Sequence, residues 1–217
     1  MKQFWIRVSN MVIGLLLYGL GIAITIKAGI GYAPWEVFHA GLAGTIGLGI
    51  GATSIIVGIL IAAIVTALGE KMGLGTLTSM VLTGVFLDIM LASNIIPTAE
   101  NFAIGTIMLV VGLFVVSTGA YFYIRSAFGA GPRDNLMVVM ARKAKLPIGV
   151  CRGIVDLLVT LMGWVLGGMV GVGTVISVVA AGFCIQIVFR LFGFDATAVK
   201  HETLDYTIKT LFHHKSK

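Results

Sequence analysis

Charge is what this sequence has least of. Only 11% of its 217 residues are charged, against roughly 25% in an ordinary soluble domain, and its mean hydropathy is +1.05. A chain of this composition has too little polar surface to stay dissolved, so we expect it to lie in a lipid bilayer. The run 50–68 carries no charge and is about as long as the roughly 20 residues that cross a bilayer as a helix.

Other absences exclude further classes. The two cysteines, Cys151 and Cys184, lie in apolar segments, which excludes a disulfide framework or a cysteine metal site. The alternating ten-residue strands of a membrane β-barrel are missing. We find no serine-histidine-acid or cysteine-histidine set, so we expect no enzyme and no cofactor. The net charge of +6 is attributed to membrane orientation, and no nucleic acid is expected as a partner.

The sequence contains a second copy of itself at an offset of 98 residues. Pro34 falls on Pro132 and Glu36 on Asp134 at that offset. The same register also pairs several small residues: Gly14/Gly112, Gly21/Gly119, Gly31/Gly129, Gly51/Gly149, Gly69/Gly167, Gly73/Gly171, Gly75/Gly173, Thr76/Thr174 and Gly84/Gly182. Because one register without gaps pairs both prolines and both GxGT motifs, we predict an internal duplication.

Each copy predicts three long helices and one short one. The first repeat, 1–100, has helices near 8–26, 34–46, 50–68 and 73–91; the second, 101–193, has helices near 103–124, 132–145, 149–166 and 171–189. The short segments would measure roughly 20 Å at 1.5 Å per residue, so we expect them to re-enter or lie on the membrane. Three spans per repeat make the second copy inverted. The start of the chain resembles a signal peptide, but no cleavage site ends the apolar run.

Basic residues test this topology. With the N-terminus inside, six spans place all but Lys27 of the 15 lysines and arginines at or toward the cytoplasm, as the positive-inside rule favours. Eight spans would move Lys71, Arg125 and Arg133 outside, an arrangement that is less favoured but still open. Both place the C-terminus in the cytoplasm of a bacterial inner membrane. The tail 194–217 has Leu204, Ile208, Leu211 and Phe212 at amphipathic spacing.

The stretches GYAPWEVFH and GAGPRDNLM read as starts of the two short helices. Gly31 and Gly129 permit unusual backbone angles, and Pro34 and Pro132 suit a first helical position. Glu36 and Asp134 are then first-turn acids, either with that task alone or as parts of a central transporter site. Gly/Pro-interrupted short segments in matching halves are typical of such sites.

Four more ionisable or aromatic positions carry open alternatives. Trp35 is opposite Arg133 in the alignment, where an aromatic and a guanidinium suit a ligand with an apolar or cationic part and an anionic part. The alternative is an interface tryptophan and a cytoplasmic anchor. Arg152 and Asp156, four apart, either pair structurally or mark function at membrane depth.

Asp88 is either a capping or surface carboxylate or a proton or cation site. Glu36 and His39 have the E-x-x-H spacing of di-iron bundles, but the second copy lacks it, so we expect no metal.

The strings GPRD and GW-LGG-GxGT, with AGIGYAPWEVFHAGL in the first half, resemble the YczE/YyaS/YitT family of bacterial integral membrane proteins. The resemblance runs from about Gly14 to Phe189. It implies a membrane protein and leaves the substrate open.

We therefore expect an all-α polytopic bundle that acts as a secondary transporter of a small anionic or zwitterionic molecule. A channel, or a scaffold or regulatory membrane protein, is the alternative. The bilayer, a small-molecule substrate and a second copy of the chain are the expected partners. The predicted site residues are Gly31, Pro34, Trp35, Glu36, Gly129, Pro132, Arg133, Asp134, Arg152 and Asp156, with Asp88 and Asp156 as coupling candidates.

Overall fold

The computed structural model describes residues 2–69, 73–129, 131–146, 148–195 and 199. Within its helices, six side chains are outside the described part: those of Lys2, Leu74, Asp134, Val138, Ile148 and Gly149. The predicted amphipathic tail helix, including Leu204 and Phe212, also lies outside it, as does Lys71.

The described chain is all helical. Its eight helices are α1 (Lys2–Lys27), α2 (Pro34–Ile46), α3 (Ile50–Ala67), α4 (Leu74–Ala92), α5 (Phe102–Arg125), α6 (Pro132–Ala144), α7 (Ile148–Val165) and α8 (Val172–Leu191). Helix α1 begins at Lys2, earlier than the predicted start near residue 8. Tertiary contacts account for the difference: Phe4 packs edge-on against Phe128 at 5.8 Å between ring centroids, and Arg7 Nε donates to Ser126 O at 2.8 Å.

Five of these helices are long and apolar enough to span a membrane: α1, α3, α4, α5 and α8. The sequence predicted six spans. The side chains of α7 are described only over 150–165, so the sixth span stays a prediction. The two short helices have 13 residues each, which is roughly 20 Å and shorter than the hydrocarbon core. A multi-pass membrane protein follows from these lengths.

Helices α1 and α5 form the centre of one half of the bundle, and glycines let them approach closely. A Cβ added at Gly14 would lie 2.8 Å from the Gly119 carbonyl oxygen, and one added at Gly21 would lie 2.8 Å from that of Gly112. Small residues are the usual means of close helix contact in membranes. Helix α4 packs on α1, and α8 packs on α5.

The loop before each short helix is hydrogen-bonded to the start of a distant helix. Gly173 N donates to Ile30 O at 2.8 Å, which ties the α1–α2 loop to the start of α8. Gly75 N donates to Phe128 O at 2.8 Å, which ties the α5–α6 loop to the start of α4. These loops turn at glycines because φ is +119° at Gly31 and +135° at Gly129, a region that other residues rarely adopt.

The short helices pack against α3 and α7. Helix α2 lies close to the end of α7, where a Cβ at Gly41 would lie 2.4 Å from the Gly163 carbonyl oxygen. Between the four helices lies an apolar cluster of buried side chains: Trp35, Val57, Ile61, Val65, Val139 and Val155. This cluster joins the start of α2 to the middle of α6 and the middle of α7.

Candidate functional site

Both short helices begin in the same way. Pro34 opens α2 after Ala33 in an extended conformation, and Pro132 opens α6 after Gly131 in an extended conformation. Proline suits this position because its ring fixes the helical φ and the first helical N–H has no partner inside the helix. The proline therefore fixes where the first turn of each short helix begins. Trp35 and Glu36 lie in the first turn of α2, and Arg133 lies in that of α6.

Arg133 is the centre of the site because its guanidinium reaches three side chains of α2. Its Cζ lies 4.7 Å from the centroid of the Trp35 ring, a cation–π arrangement. Its Nη1 lies 3.6 Å from Glu36 Oε1, and its Nη2 lies 3.4 Å from His39 Nδ1. One cation thus joins the two short helices.

Burial raises the free-energy cost of breaking these contacts. Glu36 is 7% exposed and His39 is 1% exposed, while the Arg133 side chain keeps 28% of its surface. A buried carboxylate without a cation beside it is strongly unfavourable. Removal of the guanidinium would therefore leave Glu36 uncompensated. The partial exposure of Arg133 leaves part of the cation accessible from outside the cluster.

His39 has a defined proton arrangement. A guanidinium has donors and no acceptor, so the Nδ1 that faces Arg133 must be the acceptor and the neutral ring carries its proton on Nε2. In the described part of the chain, Nε2 is buried and has no hydrogen-bond partner. A buried N–H without an acceptor costs free energy, and such groups are often found where a ligand or water binds.

Helix α7 adds an acid and a second cation. Asp156 Oδ2 lies 3.6 Å from Arg152 Nε, one turn away on the same helix. The Asp156 side chain is 18% exposed and that of Arg152 is 53% exposed. Asp156 also lies near the Trp35 indole and within electrostatic range of Arg133. Trp35 therefore lies beside charged groups of both other helices.

Gly31 and Gly129 of the predicted site pack against the starts of α8 and α4. Gly31 faces Gly171 and Thr174, and Gly129 faces Gly73 and Thr76, so both glycines allow close backbone packing. The side chain of Asp134 is outside the described part.

Asp88 belongs to α4, and its side chain reaches the start of α3. Its two carboxylate oxygens accept from Gly51 N at 2.7 Å and Ala52 N at 2.8 Å. This is the capping alternative for Asp88.

His39 is the member of the site that sequence reasoning set aside. The alignment of the two repeats pairs it with Met137, which removed the symmetry argument for it. Helical spacing could have indicated its place, since residues three and four apart share a face and His39 follows Trp35 and Glu36 at those distances. Among the described residues, no group of three or more His, Cys, Asp or Glu side chains could hold a metal ion.

Comparison with known proteins shows which family the chain belongs to. The chain is 30% identical over 175 residues to the uncharacterized membrane protein YczE of Bacillus subtilis, covering 80% of each chain. It is 30% identical over 184 residues to an uncharacterized protein of Haemophilus influenzae, covering 85% of this chain and 84% of that one. It is 27% identical to the uncharacterized protein YyaS of Bacillus subtilis, covering 81% and 88%.

No solved structure matches the chain. The model of one protein family does match, over residues 5–190, and that family is described as a family of unknown function, DUF6198. The expected resemblance to YczE and YyaS is confirmed. The chain is a membrane protein of the DUF6198 family.

Proposed function

We propose that this protein is a secondary transporter that carries a small anionic or zwitterionic molecule across the bacterial inner membrane by alternating access. The observation that carries the proposal is the buried charged cluster around Arg133, which three different helices build together. Charge inside a membrane bundle is costly and by default marks function. This cluster would be the central binding site.

The proposal includes an internal duplication with helices α1–α4 as one repeat and α5–α8 as the other. Reciprocal contacts support it. Gly14 meets Gly119, the counterpart of Gly21, while Gly21 meets Gly112, the counterpart of Gly14. The two loop bonds exchange in the same way, since Ile30 and Phe128 are counterparts and each accepts from the GxGT turn of the other half. Such reciprocity is the signature of a two-fold relation.

The backbone adds independent support. Four pairs of positions 98 residues apart all have positive φ: Gly29 with Ala127, Gly31 with Gly129, Gly47 with Lys145, and Gly69 with Gly167. Ala127 and Lys145 have side chains yet keep the conformation of their glycine counterparts, at φ +59° and +55°. A shared ancestral backbone explains why the conformation persists where the residue type does not favour it.

In a duplication with three spans per repeat, the two short helices enter from opposite faces and meet near the middle of the membrane. The starts of α2 and α6 do lie together, since Arg133 contacts Trp35 and Glu36. Arg133 would bind the anionic group of a substrate, because its planar fork matches a carboxylate or phosphate. Asp156 would bind a cationic group if the substrate is zwitterionic, and Trp35 would pack against its apolar part.

Flux through the reconstituted protein tests the proposal. Liposomes containing the full chain would be offered a panel of radiolabelled small carboxylates and amino acids. We expect saturable uptake of at least one compound, abolished by Arg133→Ala and by Asp156→Asn. Both variants must keep the size-exclusion profile of the folded protein. Saturable uptake that persists at the wild-type rate in both variants would refute the central-site assignment.

Other functions give different results in the same experiment. A channel would pass flux that rises without saturation, and a scaffold or regulatory protein would show no flux for any compound. Topology has a separate check. Single cysteines at Lys27 and Lys71 should react with an impermeant maleimide from opposite sides of the membrane if the protein has six spans. Reaction from the same side would favour eight.

A further inference from the structure

The guanidinium of Arg133 is stacked on Trp35, but its N–H donors are not all used in short hydrogen bonds. Trp35 covers one face of its plane at 4.7 Å, and the contact to Glu36 Oε1 is 3.6 Å long. A fully formed bond between a guanidinium and a carboxylate is about 2.7–2.9 Å. The five donors of an arginine lie in one plane, so stacking on Trp35 leaves them free to bind at the edge. Glu36 is therefore a loosely bound occupant of this edge.

His39 lies against one side of the guanidinium, with its Nδ1 3.4 Å from Arg133 Nη2. The two nitrogens of an imidazole ring point in nearly opposite directions, so Nε2 is directed away from Arg133, and it is buried with no acceptor in the described part of the chain. The donor set for an oxyanion is therefore the edge of Arg133. Glu36 Oε1 now lies at this edge, 3.6 Å from Nη1.

The charges that face Glu36 are few. Helix α2 itself contributes His39, and α6 contributes Arg133. Helix α7 contributes Asp156 and its partner Arg152. Helix α3 contributes apolar side chains to this region: Val57, Ile61 and Val65. With both acids ionised and His39 neutral, the described cluster holds two negative and two positive charges.

We infer, on the basis of the proposed transport function, that Glu36 occupies the place of a substrate carboxylate and that substrate and proton enter together. A small carboxylate anion binds the edge of Arg133 and displaces the side chain of Glu36. The displaced Glu36 takes one proton from a hydronium ion of the bulk solution, so one O–H bond forms on the carboxylate as one breaks in the hydronium. The substrate is thus a small carboxylate, and the transport is coupled to a proton in the same direction.

Charge balance is the reason for the coupling. The incoming anion would add one negative charge to a cluster that is now neutral. Glu36 is 7% exposed, and an unpaired charge at that burial is strongly unfavourable. Protonation of Glu36 removes one negative charge and restores the balance. Release of the substrate lets Glu36 return to Arg133 and give up the proton on that side of the membrane.

Calorimetry on the purified full chain tests this exchange. Sodium lactate and sodium benzoate serve as probes, with sodium chloride at equal ionic strength as the reference. Titration in two buffers of different ionisation enthalpy gives the number of protons taken up, and we expect about one per carboxylate bound. The affinity should then fall about tenfold for each unit that pH rises, because each bound anion requires one proton.

Variants at Glu36 separate the proton from the anion. Glu36→Gln should still bind the probes, with no proton uptake and an affinity that does not change with pH. Glu36→Asp restores a carboxylate and should restore proton uptake. Glu100→Gln makes the same chemical change at an exposed loop position and should behave as wild type. Thermal unfolding of each variant checks that it is folded.

Three results would overturn parts of this account and leave others standing. Probe binding without proton uptake, or the same pH dependence in Glu36→Gln as in wild type, refutes the exchange while transport stands. No binding of either probe by a protein that transports another class of compound refutes the carboxylate assignment. Failure of the transport proposal itself would be recognised separately, by the absence of saturable flux for every compound of the panel.

Discussion

The α3/α4 pair and the α7/α8 pair occupy matching places in the chain but pack differently. Helices α3 and α4 pack along their length, and a Cβ at Gly84 would lie 2.5 Å from the Gly51 carbonyl oxygen. In the second pair a Cβ at Gly153 or at Gly182 would meet nothing within 4 Å. Among the described residues, α7 does not pack against α8 in the way that α3 packs against α4.

One side chain accounts for part of the difference. Asp88 of α4 accepts from two backbone N–H groups at the start of α3, whereas its counterpart on α8 is Gln186. Gln186 lines an open cleft along α8 together with Phe183 and Arg190. A glutamine has one acceptor oxygen and cannot cap two N–H groups with a pair of carboxylate oxygens.

In the proposed inverted topology, the α3/α4 contact lies on the outer side and the α7/α8 gap on the cytoplasmic side. The difference then corresponds to one state of an alternating-access cycle, closed outside and open inside. In the other state, the two pairs would exchange their packing. In this interpretation, the α3/α4 contact and the α7/α8 gap are the places where a conformational change is expected.

The largest effect is expected from a methyl group placed in each pair. Gly84→Ala puts a Cβ against the Gly51 backbone and against Ile55 Cγ1, each 2.5 Å away. Overpacking of this kind costs about 1–3 kcal/mol, measured as the free energy of unfolding in detergent. The matched Gly182→Ala meets open space and should change that free energy by about 0.5 kcal/mol or less. Equal losses in the two variants would contradict the difference in packing.

The Asp88 cap should have the next largest effect. Asp88→Asn keeps one acceptor oxygen and loses the other, so either Gly51 N or Ala52 N loses its partner. We expect a loss of about 1 kcal/mol in the free energy of unfolding, the usual size for a cap. Gln186→Asn, the same kind of change on α8, is the control and should be close to neutral. A neutral Asp88→Asn would show that the carboxylate does not hold α3 to α4.

The Arg152–Asp156 ion pair should have the smallest effect on stability. Arg152 is 53% exposed, and exposed pairs one helical turn apart contribute about 0.2–1 kcal/mol. Arg152→Ala should therefore unfold within about 1 kcal/mol of wild type in a denaturation series. A loss of several kcal/mol would show that α7 depends on this pair, and would make its contact with α2 secondary.

The sequence predicted the elements that depend on local chemistry. Gly31 before the segment and Pro34 at its first position predicted a helix start there, and the observed helix α2 spans Pro34–Ile46. The i, i+4 spacing predicted the pairing of Arg152 with Asp156, which lie 3.6 Å apart. Such signals lie within a few residues of one another in the chain.

The features that sequence reasoning could not supply depend on contacts between distant segments. Nothing local to His39 indicates that Arg133, 94 residues away, lies against its ring. The alignment of repeats compares equivalent positions, whereas the site joins the start of α2 to the start of α6 and the middle of α7. The early start of α1 has the same cause, since Phe4 packs against Phe128.

The most direct test of alternating access is a pair of distances measured in the same protein. Spin labels at Ala52 and Ile89 report on α3 and α4, and labels at Val150 and Ile187 report on α7 and α8, each in a background with Cys151 and Cys184 replaced by serine. Asp88→Asn should produce a second population in which the α3–α4 distance is longer and the α7–α8 distance is shorter. If the α3–α4 distance lengthens while the α7–α8 distance stays fixed, the two pairs do not exchange and the transporter account is contradicted.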